Sequence, residues 1–395
     1  MERLSSGPRE APWKRWWGIV AHGQAGRHAG RPLPCLPAAF TRSVADCASS
    51  LGRRVMREAN AVGSRGKAAE RDTLECWGGV DLGGTKIEAV VVDRAGTVLG
   101  KMRQPTPADG EPGDVVRAIH DALEGAAHAA GLTSRQLLGV GVGAPGAVNA
   151  NEGTLGHVSN VGRGWSTPYP VAGDLGARVG RPVVLGNDVQ VAVAAEYRLG
   201  AGRAFRSLLG VWWGTGVGGG LVLDGVPWRG RGAAGEVGHM VVKPGGARCG
   251  CGRRGCLEAY AGRASMERRA HKAVRQGETT ILFDLMRKKG RTRLTSSIWA
   301  RALAQEDALA TWLFGRAVRM LGAGLASAIN LLDVEAVVLG GGLGTRLGPE
   351  FAGRIHEAMR PHIFVPERQP PVRVAELGEL SGAIGAALLA QPPMK

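Results

Sequence analysis

The chain has 395 residues, with 50 Lys plus Arg against 34 Asp plus Glu, a formal charge of +16. Hydrophobic residues make up 44% and charged residues 21%, a globular composition that excludes a wholly disordered chain, and the length suits two domains. The glycines follow no G-x-y period, no apolar run reaches about 18 residues, and six cysteines are too few for a disulfide scaffold. Collagen, a transmembrane helix and a disulfide-stapled domain are therefore excluded. The basic residues are scattered and form no long block interleaved with aromatics. They read as a bias toward Arg, Gly and Ala, with neither nucleic acid nor membrane as partner.

Residues 1–75 differ from the rest. They are rich in Arg, Pro, Gly and Ser, carry Trp13, Trp16 and Trp17 in one cluster, and read as a disordered or weakly helical leader. No apolar core precedes a small-residue cleavage site, and Glu2 and Glu10 argue against a transit peptide. Met56 offers an alternative start, about 20 residues ahead of the first strand. Regular patterning begins at Trp77. Gly78 to Gly84 reads as a strand into a turn, Lys86 to Asp93 as a second strand and Thr97 to Met102 as a third. A helix follows from Asp114 to Ala130, stopped by Gly131. Leu137 to Gly146 is a buried strand ending in glycines, and Val183 to Asp188 is a strand running directly into a helix stopped by Gly200. Ser207 to Gly225 reads as two strands around a glycine turn, helices dominate from Ala264 to Leu332, and Glu335 to Gly344 is a strand followed by a glycine loop. A late strand at Val372 to Leu377 precedes a helix from Ser381 to Ala390. Strands alternating with helices make the class α/β.

Three glycine stretches follow strands: Asp81 to Lys86, Gly214 to Gly220 and Leu339 to Gly344. Glycines let backbone N–H groups approach phosphate oxygens, Thr85 and Thr215 add hydroxyl donors, and Asp81 sets a carboxylate where Mg²⁺ can be held. None is a P-loop, and a strand rather than a helix follows the second, so the dinucleotide fingerprint is absent too. Any one glycine turn is ordinarily structural; three in order, one with an acid and a threonine, point to a nucleotide.

Cys249, Cys251 and Cys256 form a C-x-C-x₄-C run ten residues after His239. Three thiolates and an imidazole fill a closed, structural tetrahedral zinc site, and Arg248, Arg253 and Arg254 offset the thiolate charge. Cys35, Cys47 and Cys76 have no such partners. Asp188 stands where a strand becomes a helix, which on its own means a helix cap; Asn187 beside it offers a donor and an acceptor suited to a sugar hydroxyl. If a metal folds the cysteine loop, Glu236, His239 and Glu258 come to one spot, as a polyhydroxylated ligand requires.

These motifs in this order resemble the ROK family, and within it the bacterial ATP-dependent glucokinases, over residues 77 to 390. The resemblance rests on GVDLGGTKIEAVVVD, GVGAPGAVN, LGNDVQVAVAAEYRLGAG, GTGVGGG, GAAGEVGHMVV with CGCGRRGCLEAYAG, and VVLGGGLG. It implies a two-lobe actin-like (ribonuclease-H-like) ATPase fold with an interlobe cleft, residues 77–187 with 372–395 forming the small lobe and 188–371 the large lobe with the zinc loop. It implies ATP-dependent phosphorylation of glucose at the 6-hydroxyl, with Asp188 as base and Asn160, Asn187, Asp188, Glu236, His239 and Glu258 on the sugar. ATP would meet Asp81, Gly83, Gly84, Thr85, Lys86, Thr215, Gly216 and Gly218, with Gly340, Gly341 and Gly342 on the adenosine side. Catalytic Mg²⁺, structural Zn²⁺ on His239, Cys249, Cys251 and Cys256, a homodimer or homotetramer, and a cytoplasmic location complete the expectation. The departures are the long leader and Val158 to Trp165, which lacks the proline often found near the asparagine.

Two rivals remain at this level. Repressors of the same family carry an N-terminal helix-turn-helix, but residues 1–75 show no two helices joined by a short turn, and DLGGTK is intact. Kinases for N-acetylglucosamine, N-acetylmannosamine, mannose or fructose share the same acids and histidine, and polyphosphate is an alternative donor.

Overall fold

A computed structural model describes residues 75–158 and 161–392. Residues 1–74 of the leader, Met56 among them, and Asn160 lie outside the described residues. The described residues form two five-stranded sheets of the same design. In the first, β1 (Cys76–Leu82), β2 (Lys86–Asp93), β3 (Val98–Pro105), β4 (Gly139–Ala144) and β7 (Val183–Asn187) lie in the order β3-β2-β1-β4-β7. In the second, β8 (Leu208–Trp213), β9 (Val217–Leu223), β10 (Val226–Trp228), β11 (Ala336–Gly340) and β12 (Val372–Val374) lie in the order β10-β9-β8-β11-β12. Each sheet is an antiparallel three-strand meander whose first strand also pairs, in parallel, with a later strand, which in turn pairs in parallel with the last. A short hairpin, β5 (Ala147–Asn149) with β6 (Thr154–Gly156), stands apart. This is the two-lobe, actin-like α/β architecture, and the glycine turns after β1 and after β8 are equivalent points in the two lobes.

The first strands of both sheets are covered on both faces, so they read as nearly continuous apolar runs rather than alternations. Helix α1 (Pro112–Ala129) buries Val115, Val116, Ile119, Leu123 and Ala126 in the core of the first sheet. It begins two residues earlier than expected because Pro112 suits the first helical turn and Glu111 and Asp114 form a capping box. A short helix, α2 (Val171–Val179), precedes β7. On the other face lies the last helix of the chain, α10 (Ser381–Leu389). It sits so close that a Cβ on Gly79 would come within 2.0 Å of the Ala383 carbonyl oxygen and one on Gly141 within 1.8 Å of that of Ala386. Only glycine admits this approach.

The helices α3 (Asp188–Leu199), α4 (Glu258–Ala261), α5 (Arg263–Arg275), α6 (Leu282–Lys288), α7 (Ser296–Ala304), α8 (Ala308–Leu332) and α9 (Gly341–Met359) belong to the rest of the chain. In α8, Leu313, Phe314, Ala317, Leu321 and Leu325 recur at helical spacing and bury against the second sheet, where Phe314 stands 5.6 Å from the Trp213 ring. Helix α3 packs between the lobes, against α10 on one side and β9 on the other.

Two expectations differ from the structure. Strand β12 pairs with β11 in the second sheet, so Val372 to Val374 do not join the small lobe; the chain returns to the first sheet only at α10. The expected glycine loop after β11 is the start of α9, because Gly341 takes φ +79° and turns the strand straight into a helix.

Candidate active site

The two sheets, α3, α9 and the segment after β12 enclose a cavity of about 610 Å³. Asp81 and Lys86 enter it from β1 and β2, Asp188 and Val189 from the first turn of α3, and Trp212 from β8. Gly341, Gly342, Thr345 and Arg346 come from the first turns of α9, and Gly378, Glu379, Ser381 and Gly382 from the segment leading into α10. A helix N-terminus opening on a cavity offers free N–H groups and the positive end of its dipole, which suits phosphate.

Asp188 starts α3, but Asn187 caps it: Asn187 Oδ1 accepts the N–H groups of Val189 and Gln190, both at 3.1 Å. Asp188 Oδ1 shares the Val189 N–H at 2.9 Å. Burial pushes the Asp188 carboxyl above the usual carboxylate range, Glu236 adds to the rise, and the Val189 N–H opposes it. Asp81 is pushed up to about 7, first by burial and then by the charge of Asp188, against the pull of Lys86. Two carboxyls facing a cationic lysine across one cavity can accept a proton and hold a divalent cation.

The strands beside the two glycine turns reach this cavity through Asp81, Lys86 and Trp212, but Gly83, Gly84, Thr85, Gly214, Thr215 and Gly216 do not line it. Gly83, Gly84 and Thr85 make the β1–β2 turn, closed by the Gly83 N–H on the Lys86 carbonyl at 2.9 Å, and Thr106 Oγ1 donates to the Gly83 carbonyl at 2.7 Å. Gly214, Thr215 and Gly216 make the β8–β9 turn, where Arg263 donates to Thr215 Oγ1 at 2.7 Å. Gly218 lies within β9 against Val189, and Gly340 packs on the Trp212 ring, so a Cβ at either would strike a side chain. Asn187 lines a different cavity, with Gln190, Tyr197 and Trp228.

The remaining predicted residues form a second group. His239 ends a short 3₁₀ turn (Val237–His239). Its Nδ1 is 3.8 Å from Cys249 Sγ, and its Nε2 is 3.9 Å from Glu236 Oε2. Cys251 and Cys256 sulfurs stand 3.8 Å apart, and the ligand atoms of His239, Cys249, Cys251 and Cys256 all lie within 4.8 Å of one another. Thiolates at about 2.3 Å from a tetrahedral zinc are about 3.8 Å from each other, so the four residues fit that ion. The backbone N–H of Arg253 pulls the Cys251 thiol down to about 6, whereas burial pushes Cys249 up to about 12. Glu258 spans the two groups: Oε1 accepts from the Cys249 thiol at 3.7 Å, and Oε2 accepts the Val217 N–H, just past the β8–β9 turn, at 3.1 Å.

Sequence reasoning missed Trp212, Arg346, Arg103 and Glu379. Arg103 bonds Glu88 at 2.5 Å and Glu379 at 2.6 Å, and Lys86 reaches the same two acids at 3.4 Å each. Strand alternation could have singled out Trp212, since Trp213 beside it is fully buried and the two must face opposite ways. Nothing local links Arg103 to Glu379, which are 276 residues apart.

The model of the ROK family matches residues 77–392. A curated glucokinase from Streptomyces coelicolor is 35% identical over 80% of this chain and 97% of its own. Among solved structures, a ROK hexokinase from Thermus thermophilus is 36% identical with a TM-score of 0.66, over 80% of this chain and 97% of its own. A ROK family glucokinase from Streptomyces griseus, in complex with glucose and AMPPNP, is 34% identical with a TM-score of 0.68, over 80% of this chain and 99% of its own. The duplicated sheets, the two glycine turns and the Cys/His cluster thus occur in a chain that the family model covers almost from the first described strand to the last helix: this protein belongs to the ROK family.

Proposed function

We propose that this chain is an ATP-dependent hexose kinase that phosphorylates glucose on its 6-hydroxyl, with Asp188 as general base. One observation carries the reading: a carboxylate at a helix start, sharing the cap with its neighbour, shares a cavity with Asp81, Lys86 and the N-terminus of α9. Its likeness to a glucokinase holding glucose and AMPPNP supports the choice of acceptor and donor.

The sugar would be held by Glu236, His239 and Glu258, with Asn160 as a further contact; Asn187, which lines a different cavity, caps α3 instead. Asp188 accepts the proton of the sugar hydroxyl as the hydroxyl oxygen attacks the γ-phosphorus of ATP and the bond from that phosphorus to the bridging oxygen breaks, releasing ADP; a raised carboxyl is the better proton acceptor near neutral pH. Lys86, the two glycine turns and the start of α9 take up the phosphoryl charge. Trp212, Thr345 and Arg346 serve the nucleotide. Asp81 would hold Mg²⁺, which when bound neutralises phosphate charge. His239, Cys249, Cys251 and Cys256 would hold Zn²⁺, which when bound supplies a rigid loop and fixes the histidine tautomer. Among the described residues no helix is long and apolar enough to cross a membrane, and we place the reaction in the cytoplasm, where ATP is at hand.

A coupled assay across glucose, mannose, fructose and the N-acetylhexosamines, with ATP or polyphosphate as donor, tests this. The expected result is the highest kcat/KM for glucose with ATP. A higher value for an N-acetylhexosamine moves the substrate; a higher value for polyphosphate moves the donor; no transfer to any sugar overturns the kinase reading.

A further inference from the structure

Glu196 lies about two turns along α3 from Asp188 and is fully buried, at 0% exposure. Among the described residues no Lys, Arg or His pairs with it; its partners are all backbone N–H groups. Oε2 accepts from Ala201 at 3.1 Å and from Glu376 at 3.0 Å, and Oε1 accepts from Leu377 at 2.8 Å. A buried carboxylate that finds three such donors is held firmly in place, because each unmade bond would leave a desolvated polar group.

The position of those donors gives the acid its meaning. The Ala375 N–H still donates to the Leu339 carbonyl, at 3.0 Å, as the last tie to the second sheet. Glu376 and Leu377 follow, where the chain crosses back to the first lobe. Gly378 then takes φ +61°, and Glu379, Ser381 and Gly382 line the cavity. Gly382 lies against Asp81, where a Cβ would come 2.7 Å from the carboxyl carbon. Helix α3 thus carries the proposed base at one end and, near the other, grips the interlobe crossing whose next residues line the same cavity.

We propose that Glu196 is a positioning residue for phosphoryl transfer: by holding the crossing segment to α3, it sets Glu379, Gly382 and, through them, Asp81 relative to Asp188. This rests on the kinase reading above. A misplacement of about 1 Å in such a constellation costs about 10²-fold in rate while leaving each substrate its contacts.

The test is Glu196→Gln, which keeps the size but turns one acceptor into a donor facing an N–H. The expected result is a fall in kcat of about tenfold to hundredfold, with the Kd values for glucose and ATP within about threefold of wild type. Hydrogen exchange should rise in residues 375–380 and stay unchanged in the strands. Leu377→Pro supplies a second probe if the first variant does not fold. It deletes one donor and leaves the acid intact, and the native φ of −78° suits proline. It should lower kcat in the same sense. A kcat within about twofold of wild type in either folded variant overturns the proposal, as does a loss of binding in step with kcat. Asp188→Asn serves as control: if it stays active, the reading of the base fails, while the comparison of Glu196→Gln with wild type still stands.

Discussion

Asn187 caps the helix that Asp188 begins. Its Oδ1 accepts the N–H groups of Val189 and Gln190, and Asp188 needs to share only the first of these. Most of the capping therefore falls to Asn187, and under the proposed function the two substitutions should separate.

Asp188→Asn should lower kcat by about 10²- to 10⁴-fold, the worth of a general base, with glucose affinity nearly unchanged and the melting temperature not lowered. Asn187→Ala should instead lower stability by about 1 kcal/mol through loss of the cap. Steady-state kinetics and thermal melts of the two variants check this. Near wild-type turnover in Asp188→Asn would reduce that residue to a structural role.

Asp81 makes a prediction about pH. Its folded carboxyl titrates at about 7, against about 3.9 for an unfolded aspartate, so the folded state binds this proton more tightly. That contribution to stability is fully present below about pH 4 and is lost as pH rises through about 7. Asp81→Asn imitates the protonated form. The ligand-free variant should melt above wild type at pH 8, with the gap closing toward pH 4, even though phosphoryl transfer falls. Superimposable melting curves at pH 8 would count against a costly buried carboxylate.

The cysteine loop links the proposed metal to the proposed sugar site through His239, whose two ring nitrogens face Cys249 and Glu236. Cys251→Ser should lose zinc and raise the KM for glucose far more than that for ATP. Metal analysis with separate glucose and ATP titrations measures it. Unchanged glucose affinity in a folded, zinc-free protein would break the link. Glu258→Gln is the contrasting case. Because Glu258 also holds the Val217 N–H beside the β8–β9 turn, it should raise both KM values together.

A chain shortened to begin at Met56 should retain wild-type kinetics, since no site motif precedes Trp77 and the family match begins there. Loss of activity or solubility on shortening would assign the leader a part in the working protein.

Much of this was legible in the residues themselves. The apolar strands, the glycine turns after β1 and β8, the C-x-C-x₄-C run and the LGND junction are local patterns, set by backbone geometry and ligand spacing within a few positions. They sufficed for the α/β class, the gathering of His239 with the three cysteines and the placing of Asp188 at a strand-to-helix junction. What the tertiary structure decided involves residues far apart in the chain. Strand β12 joins the second sheet because an exposed backbone edge on β11 is there to be paired, and three residues of Val-Arg-Val cannot announce which edge they will meet. The sharing of the cap between Asn187 and Asp188 depends on side-chain rotamers, and Glu258 reaches both the cysteines and Val217 only once the loop is folded. Arg103 meets Glu379, and Glu196 meets Glu376 and Leu377, across 276, 180 and 181 residues respectively, because α10 must come back to cover the first sheet at Gly79 and Gly141. Burial then turns those meetings into fixed geometry, since a desolvated carboxylate cannot leave its donors without cost.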